Sequence, residues 1–130
     1  MPKSNEASAT KILLDTNFLL TMVRHKIHGF EELQEKGKCE FFVLESVIGE
    51  MDALGGNDKK IKNEVRLIKE ILKNNKVKVL ETDVPFVDDD LVARSKDYVV
   101  ATNDKALRDK IRALGGKTAY IRSLTYIEME

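Results

Sequence analysis

The chain is expected to fold as an α/β domain, a three-layer α/β/α sandwich around a central parallel sheet of about five strands. Three observations carry that expectation. Short β-rich runs alternate with longer amphipathic patterns along the 130 residues, and strands separated by helices need crossover connections, which give parallel pairing with helices over both faces. Four of the five runs are mostly apolar and the fifth is mixed, and each is too short for a helix. With 42% apolar residues, no internal repeat and no linker-like stretch, the chain can fill one core and offers no point of division. The expected layout is a flexible segment over residues 1–10 and a single domain over residues 11–130.

Taken in order, the first strand is expected at Lys11 to Leu14, with helical patterns at Asn17 to Lys26 and Glu31 to Glu35. The second strand, Glu40 to Leu44, leads into a helix from Val47 to Leu54, whose Val47, Met51 and Leu54 recur at the spacing of a buried face. A longer helix, Lys59 to Lys73, carries an apolar stripe of Ile61, Val65, Ile68 and Leu72. The third strand is Val77 to Leu80, followed by a helix at Leu91 to Lys96. The fourth strand, Tyr98 to Ala101, precedes a helix at Lys105 to Leu114, and the fifth strand is Thr118 to Ile121. Gly55-Gly56 and Gly115-Gly116 stand just after the last apolar position of two helices, where a left-handed cap suits glycine. The tail from Arg122 to Glu130 offers Leu124, Tyr126 and Ile127 for packing, and is left open between closing a sheet edge and meeting a partner.

Composition narrows the function classes. Lys and Arg number 22 and Asp and Glu number 22, which excludes a polybasic arm or an acidic tail and argues against nucleic-acid affinity resting on gross charge. The single Cys39 excludes a disulfide framework and a cysteine-rich zinc site, and is expected as a small core residue in a reducing compartment. His25 and His28 have no third partner at ligand spacing and are expected in solvent. No apolar run approaches a membrane span and the start lacks the apolar stretch of a signal peptide. The expectation is a cytoplasmic protein with no membrane partner.

The informative residues are acids at strand ends. Asp15 follows Ile12-Leu13-Leu14, and Asp104 follows Val99-Val100-Ala101 by three residues; ligands of open α/β sheets gather beyond the carboxyl ends of the strands. Glu50 borders the buried face of its helix and can point across the top of the sheet, while Asp88-Asp89-Asp90 falls in a helix's first turn. Each has a plainer reading. Asp104 and Asp88 suit helix caps or first turns, and Glu50 suits solvent. Asp15 is harder to explain so, because a carboxylate directly after a buried strand needs a donor or a cation. Convergence of four such acids would raise their pKa values or demand a cation, and an all-oxygen set selects a hard ion, Mg2+ or Mn2+. Such an ion activates water for attack on phosphorus. Asn17 and Thr102 stand where an amide and a hydroxyl can orient the carboxylates, although helix capping or a local turn would explain them equally.

Four segments together resemble the PIN-domain ribonucleases: Leu14-Asp15-Thr16-Asn17-Phe18, Val47 to Leu54, Asp88-Asp89-Asp90-Leu91-Val92, and Val100 to Arg108. The resemblance runs from Ile12 to about Ile121. It implies a parallel sheet of about five strands, a divalent-metal site and endonucleolytic cleavage of RNA, with the catalytic and metal-holding acids at Asp15, Glu50, Asp89 and Asp104. Asp89 stands three positions before Val92 and is preferred; Asp88, three before Leu91, is kept as an auxiliary ligand, and Asp90 is assigned to solvent. The paired aspartates before Leu-Val and the Ala-Thr-x-Asp-x-x-Leu-Arg pattern look more like the PIN endonucleases of small-subunit ribosomal RNA processing than like VapC toxins. Asp109 is expected as a helix-surface acid.

RNA, in single-stranded regions of a structured molecule, is the expected substrate. Lys62, Arg66, Lys69 and Lys73 form a basic stripe opposite the apolar one, and Arg108, Arg94, Lys96 and Lys105 are further candidates for its backbone. Stacking aromatics are few; Phe18, Phe86 and Tyr126 are the candidates nearest the expected loops or helix starts, and each is expected to be packed instead. A homodimer and ribosome-assembly partners are further expectations. Two other classes compete: a PIN-like RNA-binding module without useful catalysis, and a phosphoacceptor receiver domain, disfavoured because Leu14-Asp15 is not an acidic pair. Setting aside Asp15, Glu50, Asp88, Asp89 and Asp104 leaves 17 acids against 22 bases, so a neutral total conceals an anionic centre within a surface of formal +5.

Overall fold

The computed structural model describes residues 8–130. Six strands form one sheet in the order β3-β2-β1-β4-β5-β6, with β1 at Thr10–Leu14, β2 at Cys39–Leu44, β3 at Lys78–Leu80, β4 at Val99–Ala101, β5 at Thr118–Arg122 and β6 at Tyr126–Met129. The first five pair in parallel. Between them run α1 (Thr16–Arg24), α2 (Gly29–Lys36), α3 (Glu45–Gly55), α4 (Lys59–Asn74), α5 (Val87–Arg94) and α6 (Lys105–Ala113). Of the expected leading segment, residues 1–7 lie outside the described residues, and Thr10 already opens β1.

The chain steps outward from β1 through β2 to β3, then returns to the other side of β1 for β4 and β5. Helices α1, α3 and α4 pack on one another and α5 packs on α6; right-handed crossovers running in opposite directions along the sheet put these groups on opposite faces. Ile12, Leu13 and Leu14 are therefore all fully buried, as a central strand covered on both sides requires. The same return creates a switch point between β1 and β4, the place where ligands of open α/β sheets gather.

The tail closes an edge. Residues Tyr126–Met129 pair antiparallel with β5, making a sixth strand beyond the expected five, joined through Ser123 and Leu124, both at φ +53°. Two consecutive left-handed residues make the tight hairpin turn usually signalled by Asn-Gly, and neither residue here signals it. Leu54 corrects another expectation: Val47 and Met51 are buried, but Leu54 is 47% exposed, because the close approach of α3 to α4 falls one residue later, at buried Gly55, where a Cβ would meet Lys62 Cγ at 3.2 Å. Cys39 is half-buried at the start of β2 rather than in the core, and His25 and His28 are exposed. No helix among the described residues is long and apolar enough to cross a membrane.

Candidate functional site

Asp15 ends β1 and starts α1. Its backbone N–H donates to Ala101 O at 2.9 Å, extending the β1–β4 ladder by one rung, and its Oδ1 accepts from the Thr16 N–H at 2.8 Å as the helix cap. The capping reading is correct as far as it goes, but it satisfies only one oxygen. Oδ2 accepts from the Thr102 hydroxyl at 2.8 Å. Asp15 is 4% exposed, and burial pushes its carboxyl up to about 6 against the opposing pull of these two hydrogen bonds, with the charges of Glu50 and Asp88 adding to the rise.

Thr102, fully buried just past β4, is the hub behind this carboxylate. Its oxygen also accepts from the Asp104 N–H at 3.2 Å and stands 3.2 Å from Asn17 Oδ1. Asn17 Oδ1 accepts from the Asn103 N–H at 2.8 Å, and Asn103 Oδ1 accepts from the Ile121 N–H at 2.9 Å. Neither Asn17 nor Thr102 caps a helix, although the Asp104 N–H on the Thr102 oxygen is the local turn expected as the plainer reading; together with Asn103 they tie the ends of β1, β4 and β5 to one another. Asp104 caps α6, its Oδ1 accepting from the Leu107 N–H at 3.2 Å, which leaves its other oxygen uncommitted.

Glu50 reaches the same edge from α3. It is exposed, as its plainer reading expects, yet its Oε1 accepts from the Thr16 hydroxyl at 2.5 Å, so it leans over the start of α1 beside Asp15. The three aspartates of α5 separate by direction. Asp88 faces the cluster: its carboxyl is raised by partial burial, then by Asp104 and Glu50, while Lys110 pulls it back down. Asp89 is exposed and acts on Asp88 from the adjoining position. Lys110 was not anticipated, because only the packing of α6 on α5 brings it near Asp88.

Asp90 corrects its assignment to solvent. It is fully buried, with Oδ1 accepting from Arg94 Nε at 2.7 Å and Oδ2 from the Asp83 N–H at 3.1 Å. Arg94 also donates to Glu81 O at 2.5 Å and pairs with Asp83 at 2.9 Å. Arg94 is thereby committed to clamping the 81–86 loop, not to meeting RNA. Arg108 is likewise turned inward, its guanidinium 4.0 Å from the centre of the Tyr120 ring and its Nε 3.7 Å from Glu130. Lys105 pairs with Asp109, which is on the surface as expected. Lys62, Arg66, Lys69 and Lys73 are all exposed, with Lys69 paired to Asp52 at 2.7 Å. Phe18 is buried, whereas Phe86 is 70% exposed and Tyr126 is also largely exposed, against the expectation that all three pack.

Among the described residues, no ion pair includes Asp15, Glu50, Asp88, Asp89 or Asp104, although basic residues equal acidic ones in number. Nor do three of these groups stand close enough to enclose an ion directly. Glu50 and Asp88 bear on Asp15, and Asp104 and Glu50 on Asp88, with only the charge of Lys110 opposing, so these carboxylates act on one another without closing on one point. This donor set fits a hard cation that keeps most of its waters and takes only one or two carboxylates, as Mg2+ does.

Comparison with known proteins gives the arrangement its relatives. The family model described as PIN like domain matches residues 12–123. Ribonuclease VapC4 of Methanocaldococcus jannaschii is 27% identical over 125 residues, covering 92% of this chain and 95% of that protein. The rRNA-processing protein FCF1 of Saccharomyces cerevisiae is 27% identical over 113 residues, covering 82% of this chain. The chain spans only 56% of the length of FCF1. Among solved structures, the PIN domain endonuclease Utp24 superposes with a TM-score of 0.74 at 28% identity, covering 91% of this chain and 90% of that one.

Proposed function

The chain belongs to the PIN-like domain family, and from that premise we propose that it is a divalent-metal-dependent endoribonuclease that hydrolyses RNA phosphodiester bonds in ribosomal RNA processing. The observation that supports this most is the buried Asp15 carboxyl at the switch point, raised to about 6 and facing Glu50 and Asp88 with no basic partner among the described residues. Asp15 and Asp104 would be the principal ligands, with Glu50 and one carboxylate of the Asp88-Asp89 pair acting through the ion's waters. Asp88 is the better placed of the two, because its charge acts on Asp15. Mg2+ or Mn2+ held by these carboxylates would supply positive charge against the scissile phosphate and acidity to the attacking water.

The chain's own groups do the positioning. Thr102 and the Thr16 N–H fix both oxygens of Asp15, so that carboxylate keeps one orientation without reorganising during the reaction. The Asn17–Asn103 bonds hold the edge beneath it. Lys110, close enough to lower Asp88, offsets part of the negative field that would otherwise repel a phosphate. Lys62, Arg66 and Lys73 are exposed on α4 and can draw in the RNA backbone at longer range.

The test is cleavage of unstructured RNA with Mn2+ and with EDTA. Cleavage is expected only with the metal and is abolished in an Asp15→Asn, Asp104→Asn double variant; unchanged activity in that variant would sink the metal mechanism. A discrete cut in a ribosomal RNA precursor supports the processing role. A VapC-type ribonuclease acting on other RNA is the second reading, favoured by the near-equal length of the chain and VapC4, and it expects no such discrete cut.

A further inference from the structure

We propose that Phe86 is a stacking platform for an unpaired nucleobase of the RNA whose phosphate lies at the Asp15–Glu50–Asp88–Asp104 edge. The inference rests on the nuclease reading for the presence of RNA there, and on separate observations for the role of the ring.

Of the five phenylalanines, Phe18, Phe30, Phe41 and Phe42 are buried, while Phe86 is 70% exposed. Phe30 and Phe42 also make edge contacts with other rings. An exposed Phe forgoes most of the gain from burying a large apolar side chain, and a single such residue elsewhere on a surface needs no explanation. This one stands two residues before Asp88, so their Cα atoms are at most about 7 Å apart. A phosphate held near Asp88 brings its neighbouring base within reach of the ring.

The ring is also presented on a fixed support. Phe86 is the residue before the first turn of α5, and its carbonyl accepts the Asp90 N–H at 3.0 Å. The loop behind it is pinned twice: buried Asp90 and Arg94 hold the Glu81 carbonyl, the Asp83 N–H and the Asp83 carboxylate, and the Thr82 hydroxyl oxygen accepts from the Ser46 N–H of α3 at 3.1 Å. A charged clamp of this kind is costly to bury, and here it fixes the segment that places both Phe86 and Asp88. An aromatic face accepts any base, which suits an enzyme otherwise poor in exposed aromatics. Asp88 and Asp89 follow Phe86, so a phosphate would come beside the ring only with a cation between it and these carboxylates, which ties stacking to this edge rather than to the surface at large.

The test measures binding apart from cleavage. An oligoribonucleotide of about 12 nucleotides, unstructured and carrying 2-aminopurine at scanned positions, is titrated in Ca2+, a hard cation for oxygen ligands, against the full chain with and without Phe86→Ala, Phe86→Leu or Phe86→Trp, the probe being checked as intact on a gel. Stacking predicts a roughly 5- to 150-fold loss of affinity for Ala, a similar loss for Leu, recovery by Trp, and 2-aminopurine quenching at one position that disappears in Ala and Leu. Equal affinity of Ala and the parent, full rescue by Leu, or no binding of the probe by the parent would overturn the proposal. So would unchanged binding accompanied by a loss of self-association in Phe86→Ala, which assigns the ring to a protein contact. If quenching depends on Phe86 but the native chain cleaves nothing with Mn2+, the nuclease reading fails and the stacking role stands.

Discussion

Replacing Asp15 by Asn should stabilise the metal-free protein. The Asp15 carboxyl is raised from 3.8 to about 6, roughly two units at about 1.4 kcal/mol each, so ionising it in the folded state costs about 3 kcal/mol. The folded protein holds this proton more tightly than the unfolded chain. Stability therefore falls as pH rises from about 4 to about 6, and the whole cost is present above that range. Asn cannot ionise, and it can keep the local bonds: its Oδ1 accepts the Thr16 N–H, while its Nδ2 donates to the Thr102 oxygen, whose proton turns to Asn17 Oδ1, 3.2 Å away. For 130 residues, 1 kcal/mol shifts the melting temperature by about 4 °C. Thermal melts in EDTA at about pH 7.5 should place Asp15→Asn roughly 10 °C above the native chain, with the gap closing at about pH 4. Mn2+ should raise the native chain's melting temperature and leave the variant's in place. An equal or lower melting temperature for the variant at neutral pH, or a gap that persists in acid, would refute the reasoning.

Four other perturbations probe the support of the site and the packing around the sheet. Arg94→Met strands the buried Asp90 carboxylate and should cost about 3–5 kcal/mol in urea denaturation, much of it recovered by adding Asp90→Asn; a cost below about 1 kcal/mol would contradict the clamp. Thr102→Val removes the donor to Asp15 and the acceptor of the Asp104 N–H, and should cost about 1–3 kcal/mol and weaken Mn2+ binding about 10- to 100-fold, read by titration of the free-ion EPR signal. Gly116→Ala places a Cβ 2.7 Å from Ile111 Cγ2 and 3.2 Å from both the Ile111 carbonyl oxygen and Ser95 Cβ, and should cost about 1–3 kcal/mol. Gly29→Ala meets the flexible Met22 side chain at 2.8 Å, so its melting temperature should fall less than that of Gly116→Ala.

What the sequence disclosed depended on how local the signal is. An apolar run broken by Asp15 names both a buried strand and a carboxylate at its carboxyl end, and Asn17 and Thr102 stand out as neighbours of acids at two such ends. The direction of each residue in Asp88-Asp89-Asp90 is different: adjacent helical residues diverge by about 100°, and only the placement of α5 against α6 and the 81–86 loop turns Asp88 toward the cluster and Asp90 inward. Arg94 at four residues from Asp90 carries the spacing of a helical ion pair, a signal that would have found the clamp. Phe86 reads as core by residue type, yet it sits on the rim because the loop is held from behind by polar bonds. The tail stayed open between closing an edge and meeting a partner because Ser123 and Leu124 adopt left-handed conformations without the glycine or asparagine that announces a hairpin.

The central claim is that one edge of the sheet holds a divalent cation between carboxylates of distant sequence. Anomalous diffraction from crystals soaked in Mn2+ tests it most directly. The account predicts a peak within about 2.5 Å of carboxylate oxygens of Asp15 and Asp104, lost in the double Asn variant. Full occupancy elsewhere on the surface, with no density between these two residues, would contradict it.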